Sequence, residues 1–190
     1  MDRSGNLYEV PQGQPEPEDD GACGRLPGTR MPSLSLTSTA GDPVDLSTLT
    51  GTTVVYCYPL TGRTDQDLPP GWDDIPGARG CTPQSCAFRD HHAELKELGA
   101  RVFGLSTQDI AYQREAAGRL HLPFPLLSDE KQAFAKALGL PTFEAGGMTL
   151  IKRVTLIIEE GEIKHVFYPV FPPGRNAEAV VRWLSERSTG

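Results

Sequence analysis

The stretch Thr52-Thr53-Val54-Val55-Tyr56-Cys57-Tyr58-Pro59 is β-branched, aromatic or apolar at consecutive positions rather than at alternate ones. That pattern predicts a central strand buried on both faces, stopped by Pro59. Further on, Thr82-Pro83 offers an N-cap followed by proline at the first helical position. Phe88, His92, Leu95 and Leu98 then recur at helical spacing before Gly99 ends the helix. Arg101 to Ser106 reads as another strand. Strand, helix and strand joined by a crossover predict a parallel βαβ unit.

Outward from that unit the remaining elements are short. Residues 33–47 alternate around Gly41-Asp42-Pro43 and predict an N-terminal β-hairpin. Residues 108–120 predict a polar helix, Pro123 to Leu127 an extended piece, and Glu130 to Leu138 a helix closed by Gly139. Thr149 to Glu159 reads as one long strand, paired with Glu162 to Tyr168 across Glu160-Gly161. A last helix spans about 176–187, with Ala179, Val180, Trp183 and Leu184 on its apolar face. The expected fold class is α/β: a mixed central sheet with helices on both faces.

The 190 residues suffice for one domain with a real core. Hydrophobic residues make up 38% of the chain, yet no run of 18 exists to cross a membrane. Met1-Asp2-Arg3-Ser4-Gly5 has no apolar run behind it, so no secretory signal is expected. A formal charge of −7 argues against nucleic acid as partner. Residues 1–28 carry six acids and two bases, a net −4, which leaves −3 for the rest. With four Pro and five Gly as well, residues 1–30 are expected to be a disordered acidic tail, and residues 31–190 the folded domain.

Within that domain residues 60–80 hold three Pro, four Gly and four Asp around Trp72. Structureless loops of that length in a compact domain tend to serve function. Trp72 is read as the loop's packed anchor.

Cys23, Cys57, Cys81 and Cys86 are too few for a disulfide scaffold. They suit a reducing, cytoplasmic setting, where a cysteine pair is more often catalytic, redox-active or metal-binding. Cys81 falls at or just before the first turn of the predicted helix. Unpaired amides and the helix dipole there favour a thiolate, the nucleophilic form of the thiol. Cys86 is five residues on. In an intact helix the two would differ by about 140° and about 7.5 Å of rise, too far for a disulfide without backbone movement. A redox pair at this spacing would need the first turns to unwind; alternatively Cys86 is a small apolar residue of the helix.

A zinc site from Cys81, Cys86, His91 and His92 fits poorly, because adjacent histidines on a helix face different ways. A Cys–His hydrolase lacks a visible oxyanion or acid partner. Cys57 reads as a core residue, Cys23 as a stray tail thiol or an intermolecular partner. His121 and His165 receive no role.

Gly80-Cys81-Thr82-Pro83-Gln84-Ser85-Cys86-Ala87-Phe88-Arg89-Asp90 resembles the signature of peroxiredoxins of the peroxiredoxin Q, or bacterioferritin comigratory protein, group. Leu34 to Ser47 is similar to the group's first strands. Val54-Val55-Tyr56-Cys57-Tyr58-Pro59 is similar to its central strand, and Arg153-Val154-Thr155-Leu156-Ile157-Ile158 to its Arg-x-Thr-Phe strand. The resemblance covers about residues 31–188.

The resemblance implies a thioredoxin-like fold and a thiol-dependent peroxidase acting on hydrogen peroxide or organic hydroperoxides. Cys81 would be the peroxidatic cysteine, oxidised to a sulfenic acid. Cys86 would resolve it as an intramolecular disulfide, and thioredoxin or a similar dithiol would reduce that bond. Arg153 would sit beside the sulfur, its fixed charge favouring the thiolate and its fork holding a peroxide oxygen. No cofactor or metal is implied, and a monomer or homodimer is expected. The neighbouring readings are a thiol–disulfide oxidoreductase, which would normally use C-x-x-C, and a redox-sensing module.

One departure stands out. The group separates its Tyr-Pro proline from the reactive cysteine by seven residues, with Thr or Ser three before the cysteine. Here Pro59 and Cys81 are 22 apart, and Ala78 occupies that position. Residues 60–80 are therefore an insertion, and Thr61 is the preferred source of the displaced hydroxyl, ahead of Thr64.

Overall fold

The structure is a computed structural model that describes residues 6–189. In chain order it contains β1 (Thr37–Ser38), β2 (Thr52–Cys57), α1 (Cys81–Asp90), α2 (His92–Glu97), β3 (Ala100–Ser106), α3 (Ile110–Arg119) and β4 (Leu126–Ser128). There follow α4 (Ala133–Leu138), β5 (Thr142–Ala145), β6 (Met148–Ile151), β7 (Val154–Glu159), β8 (Glu162–Phe167) and α5 (Asn176–Ser188). Six strands form one sheet in the order β1-β4-β3-β2-β7-β8. β2, β3 and β4 are parallel, and the remaining pairings are antiparallel. This is the mixed sheet of the thioredoxin-like class.

β2 lies inside the sheet, and its alternation divides the core. Val55 and Cys57 enter one cluster, with Leu105, Leu156, Ile158 and Phe134 of α4. Val54, Tyr56 and Tyr58 enter the other, with Phe88 of α1, Leu95 of α2, Ala116 of α3 and Val180 of α5. Helices thus cover both faces, which is why both faces of β2 read as apolar.

Five expectations change. The N-terminal hairpin reduces to one bridge, in which Leu36 and Val44 exchange two hydrogen bonds of 2.9 Å. Pro43 has no N–H to extend that ladder, and the Asp45 side chain instead caps the 3-10 turn Leu46–Thr48. β1 pairs with β4.

The expected strand 149–159 is two strands in two sheets. β6 pairs with β5, an element absent from the expectation, as a separate ribbon, and β7 pairs with β2 and β8. The chain leaves extended pairing at Lys152-Arg153.

Thr82 is not the N-cap of α1. Gly80 holds that place at φ 113°, and Pro83 falls within the first turn, where its missing N–H costs nothing. The helix expected to run to Leu98 is interrupted at His91, between α1 and α2.

Residues 6–30 depart from the expected detached tail, whose residues 1–5 lie outside the described residues. Cys23 and Leu26 are buried against the α4 face of the sheet. Gly28 N–H donates to Ile163 O at 2.7 Å, Ile163 N–H to Thr29 O at 2.9 Å and Met31 N–H to Gly161 O at 2.8 Å, which extends the sheet beyond β8. A few apolar residues at the right places outweigh an acidic average composition. Cys23 is therefore a core thiol, and burial pushes it up to about 11, away from the behaviour of a free surface thiol. Among the described residues no helix is long and apolar enough to cross a membrane.

Candidate active site

Register fixes the place of the site. Cys57, the last residue of β2, is level with Val154, the first of β7. Pro59 and Arg153 therefore lie just past the carboxyl end of β2, where ligand sites of open parallel sheets gather. The loop after β2 brings α1 to the same edge. Gly80 is required there: a Cβ on it would lie 2.3 Å from Pro173 Cγ, and its φ is in the left-handed region.

Cys81 is the first residue of α1 and is buried. It lies at the N-terminal, positive end of the helix dipole, and among the described residues one side chain hydrogen-bonds its sulfur: Arg153, whose Nη2 donates to Sγ at 3.3 Å. Arg153 is itself only 4% exposed. Its Nη2 also reaches the carbonyls of Gly77 at 3.3 Å, Ala78 at 3.1 Å and Arg79 at 3.3 Å. Nη1 donates to Gln84 Oε1.

Apart from the sulfur, these partners are neutral backbone carbonyls and a neutral amide side chain. Among the described residues no carboxylate lies within ion-pair reach of Arg153. Buried charges are normally paired, because leaving water costs them several kcal/mol (roughly). A negative charge at the position of the Cys81 sulfur would supply the missing counter-charge.

A second layer orients the guanidinium. Gln84, on the first turn of α1, accepts from Arg153 through Oε1 and donates through Nε2 to Asn176 Oδ1 at 3.0 Å. Thr155 Oγ1 donates to the same Asn176 oxygen at 2.7 Å. Gln84, Thr155 and Asn176 are all buried. The chain Thr155–Asn176–Gln84–Arg153 thus ties β7, α5 and α1 together around the sulfur. Tyr56 adds a further tie, donating to Ser85 Oγ at 3.0 Å and stacking on Phe88 at 4.5 Å.

Sequence reasoning missed Gln84, Asn176 and Thr155. The signal available for Gln84 was a polar residue three after Cys81, one helical turn on and so beside it. For Asn176 there was none, since it meets Gln84 92 residues away.

The structure brings Cys81 and Arg153 together. Pro59 and Thr61 are buried directly after β2. Thr61 N–H donates to Gln108 Oε1 at 3.1 Å, and its carbonyl accepts from Tyr112 O–H at 2.6 Å. The hydrogen-bond partners of the Cys81 sulfur among the described residues are Arg153 and the Ala78 carbonyl, at 3.9 Å, with no hydroxyl.

Cys86 lies within the intact α1, half-exposed and unbonded. Burial raises its thiol above the ordinary range, partly opposed by the nearby Arg89 charge. His91 pairs with Glu94 at 2.9 Å, whereas His92 packs on Phe124. Cys57 is fully buried in the core, and burial raises its thiol far out of the reactive range.

The inserted loop is packed. Trp72 is buried and forms a third small core with Leu60, Ala78 and Leu150, its ring 5.9 Å from that of Phe143. Asp73 pairs with the buried Arg79 at 3.0 Å. These contacts hold the loop's last residues, whose carbonyls cradle Arg153.

The Redoxin family model matches residues 26–181 of the chain. A chloroplastic peroxiredoxin Q from Oryza sativa subsp. japonica is 34% identical over 165 residues, covering 85% of this chain and 68% of that protein. Chloroplastic peroxiredoxin Q from Triticum aestivum is 34% identical over 157 residues, covering 81% and 64%. Among solved structures, peroxidoxin BcpB from Mycobacterium tuberculosis superposes with a TM-score of 0.68 at 25% identity, covering 85% of this chain and 97% of the other. Peroxiredoxin Q from Xanthomonas campestris shares the fold, with a TM-score of 0.64 at 22% identity over 82% and 91% of the two chains.

Proposed function

This chain belongs to the Redoxin family and, within it, to the peroxiredoxin Q group, and on that premise we propose the roles its own residues take in the peroxidase cycle. It is a thiol-dependent peroxidase, and peroxiredoxins act on peroxides with thioredoxin-type reductants. Cys81, as thiolate, attacks one oxygen of the hydroperoxide. The O–O bond breaks, the leaving oxygen takes a proton and departs as alcohol or water, and the sulfur becomes a sulfenic acid. The Cys86 thiolate then attacks that sulfur and hydroxide leaves as water, which yields an intramolecular disulfide. A dithiol reductant takes up the oxidation. In sum, hydroperoxide and dithiol become alcohol, water and disulfide.

The observation that carries the assignment is the buried guanidinium of Arg153, 3.3 Å from the Cys81 sulfur and, among the described residues, without a carboxylate partner. Its charge and fork suit an anion at sulfur and the oxygen being displaced. Pro59 shields the site from water. Thr61 supplies the hydroxyl that Ala78 cannot, on turning toward bound peroxide. Disulfide formation requires the first turns of α1 to unwind, because an intact helix holds positions 81 and 86 apart. The protein acts as a monomer or homodimer in a reducing, cytoplasmic setting, which suits four unpaired cysteines. Residues 31–190 carry the catalytic side chains, and the N-terminal segment packs onto them as part of the same domain.

The test is consumption of hydrogen peroxide coupled to NADPH through a thioredoxin system. Wild type should turn over, and Cys81→Ser should abolish turnover. A Cys81→Ser variant with full activity would overturn the assignment.

A further inference from the structure

Resting on that peroxidase reading, we propose that residues 16–20 form one wall of the pocket that holds the organic part of the hydroperoxide. Their carboxylates make the enzyme select uncharged hydroperoxides over those bearing a carboxylate.

The pocket encloses about 500 Å³. Ile75, Pro76, Phe143 and Val170 give it an apolar side, and Arg153 is the most deeply buried charged residue lining it. Among the described residues Nε of Arg153 has no hydrogen-bond partner. A ligand that reaches this guanidinium therefore meets the side chain that, among the described residues, hydrogen-bonds the Cys81 sulfur.

The N-terminal segment also lines the pocket, through Glu16, Pro17, Glu18 and Asp20. The segment is held in place. A Cβ on Gly77 would lie 3.1 Å from Pro17 Cγ, and one on Gly80 would lie 3.1 Å from Val10 Cγ2. Asp20 accepts from Tyr168 O–H at 2.9 Å and from Lys152 Nζ at 3.4 Å.

The rim's charge balance decides what enters. Its cations are Lys152 and Arg153. Lys152 is committed to Asp20, and Arg153 is buried against the sulfur. Glu16 and Glu18 are exposed, and among the described residues no base pairs with either. An alkyl or aryl hydroperoxide finds apolar walls. A hydroperoxide carrying a carboxylate brings a like charge past two unneutralised acids. At about 8–10 Å in a largely aqueous rim, each acid is worth roughly a twofold effect, lost at high salt.

The experiment measures kcat/KM for a medium-chain hydroperoxy acid and its methyl ester, on the full chain with a thioredoxin system. Wild type should favour the ester. The Glu16→Lys/Glu18→Lys double variant should shift the acid-to-ester ratio toward the acid by about tenfold at low ionic strength, and Glu16→Gln/Glu18→Gln by about threefold. At roughly 0.5 M salt the three ratios should converge. A ratio unchanged within twofold in both variants at low salt overturns the proposal, while turnover of hydrogen peroxide keeps the peroxidase reading intact. A wild type that consumes no hydroperoxide overturns both.

Discussion

Arg153 and Cys81 are 72 residues apart in the chain and 3.3 Å apart in space, guanidinium nitrogen to sulfur. The guanidinium is buried, and its other hydrogen-bond partners among the described residues are neutral. The fold thus holds a cation ready for an anion that exists only when the thiol ionises or peroxide reacts. Preorganised charge of this kind needs no rearrangement at the moment of reaction.

Replacing Arg153 separates charge from geometry. Arg153→Met should slow oxidation of Cys81 by hydrogen peroxide by about 10²-fold or more, and it should also lower the melting temperature, because Gln84 Oε1 and the loop carbonyls lose their donor. Arg153→Lys should recover only part of the rate, since an ammonium cannot hold Gln84, the loop carbonyls and the sulfur in one plane. Stopped-flow fluorescence and melting curves check both. A Met variant within threefold of wild type would contradict the assignment.

Gln84 acts on the sulfur through Arg153. Gln84→Leu leaves the Asn176 oxygen and Arg153 Nη1 each short of a partner, at a cost of about 1–3 kcal/mol. Cys81 oxidation should slow by about tenfold. Asn176→Leu should slow it less, and the double variant should fall short of the product of the two single effects, because both residues act through one chain. Multiplicative rate effects would show that the chain does not transmit.

Cys86 should control the second step and its pH dependence. Cys86→Ser should allow one oxidation of Cys81 but no disulfide, as seen by mass spectrometry. In wild type, burial raises the Cys86 thiol, so the reactive thiolate becomes more populated as pH rises. The rate of disulfide formation should therefore climb through the alkaline range. Arg89→Ala removes the charge that lowers this thiol, and the rise should move to higher pH. A rate independent of pH would place another group in control.

Thr61→Val keeps the backbone bonds to Gln108 and Tyr112 and removes only the hydroxyl. If Thr61 supplies the group missing at Ala78, Cys81 oxidation should fall by about tenfold or more. An unchanged rate would leave the role to another group.

Cys23 should report on the packing of the N-terminal segment. Its folded thiol titrates at about 11 against an ordinary 9.0. The fold favours the neutral thiol, so this contribution to stability is full below pH 9 and is lost as pH rises toward 11. Cys23→Ala should flatten the fall in denaturation midpoint between those values. Cys23 and Cys57 should also resist thiol reagents at pH 8 until the protein unfolds. Rapid labelling of Cys23 in the native state would contradict its place in the core.

The parallel βαβ unit was legible because each of its signals is local. A run apolar on both faces marks β2, a helical period marks α1 and α2, and a short β-branched run marks β3. The position of Cys81 at a helix start was legible for the same reason. The break at Lys152-Arg153 was not. Thr149 to Glu159 has the same β-branched texture on both sides of it, and only the choice of partners, β5 for one half and β2 for the other, divides the run. The N-terminal segment was misread because its average composition concealed Cys23, Leu26 and Met31, which matter by position rather than by number.

The sequence by itself determined the class of fold and the place of Cys81 at a helix start with Cys86 five residues on, since consecutive residues specify strands, helices and helix ends. Only the tertiary structure decided that Arg153 points at Cys81 through a cradle of loop carbonyls, that Gln84 and Asn176 hold it there, and that residues 16–20 stand beside the pocket. Those relations join segments separated by tens of residues. They depend on which strands pair and where a strand breaks, and no local pattern encodes either.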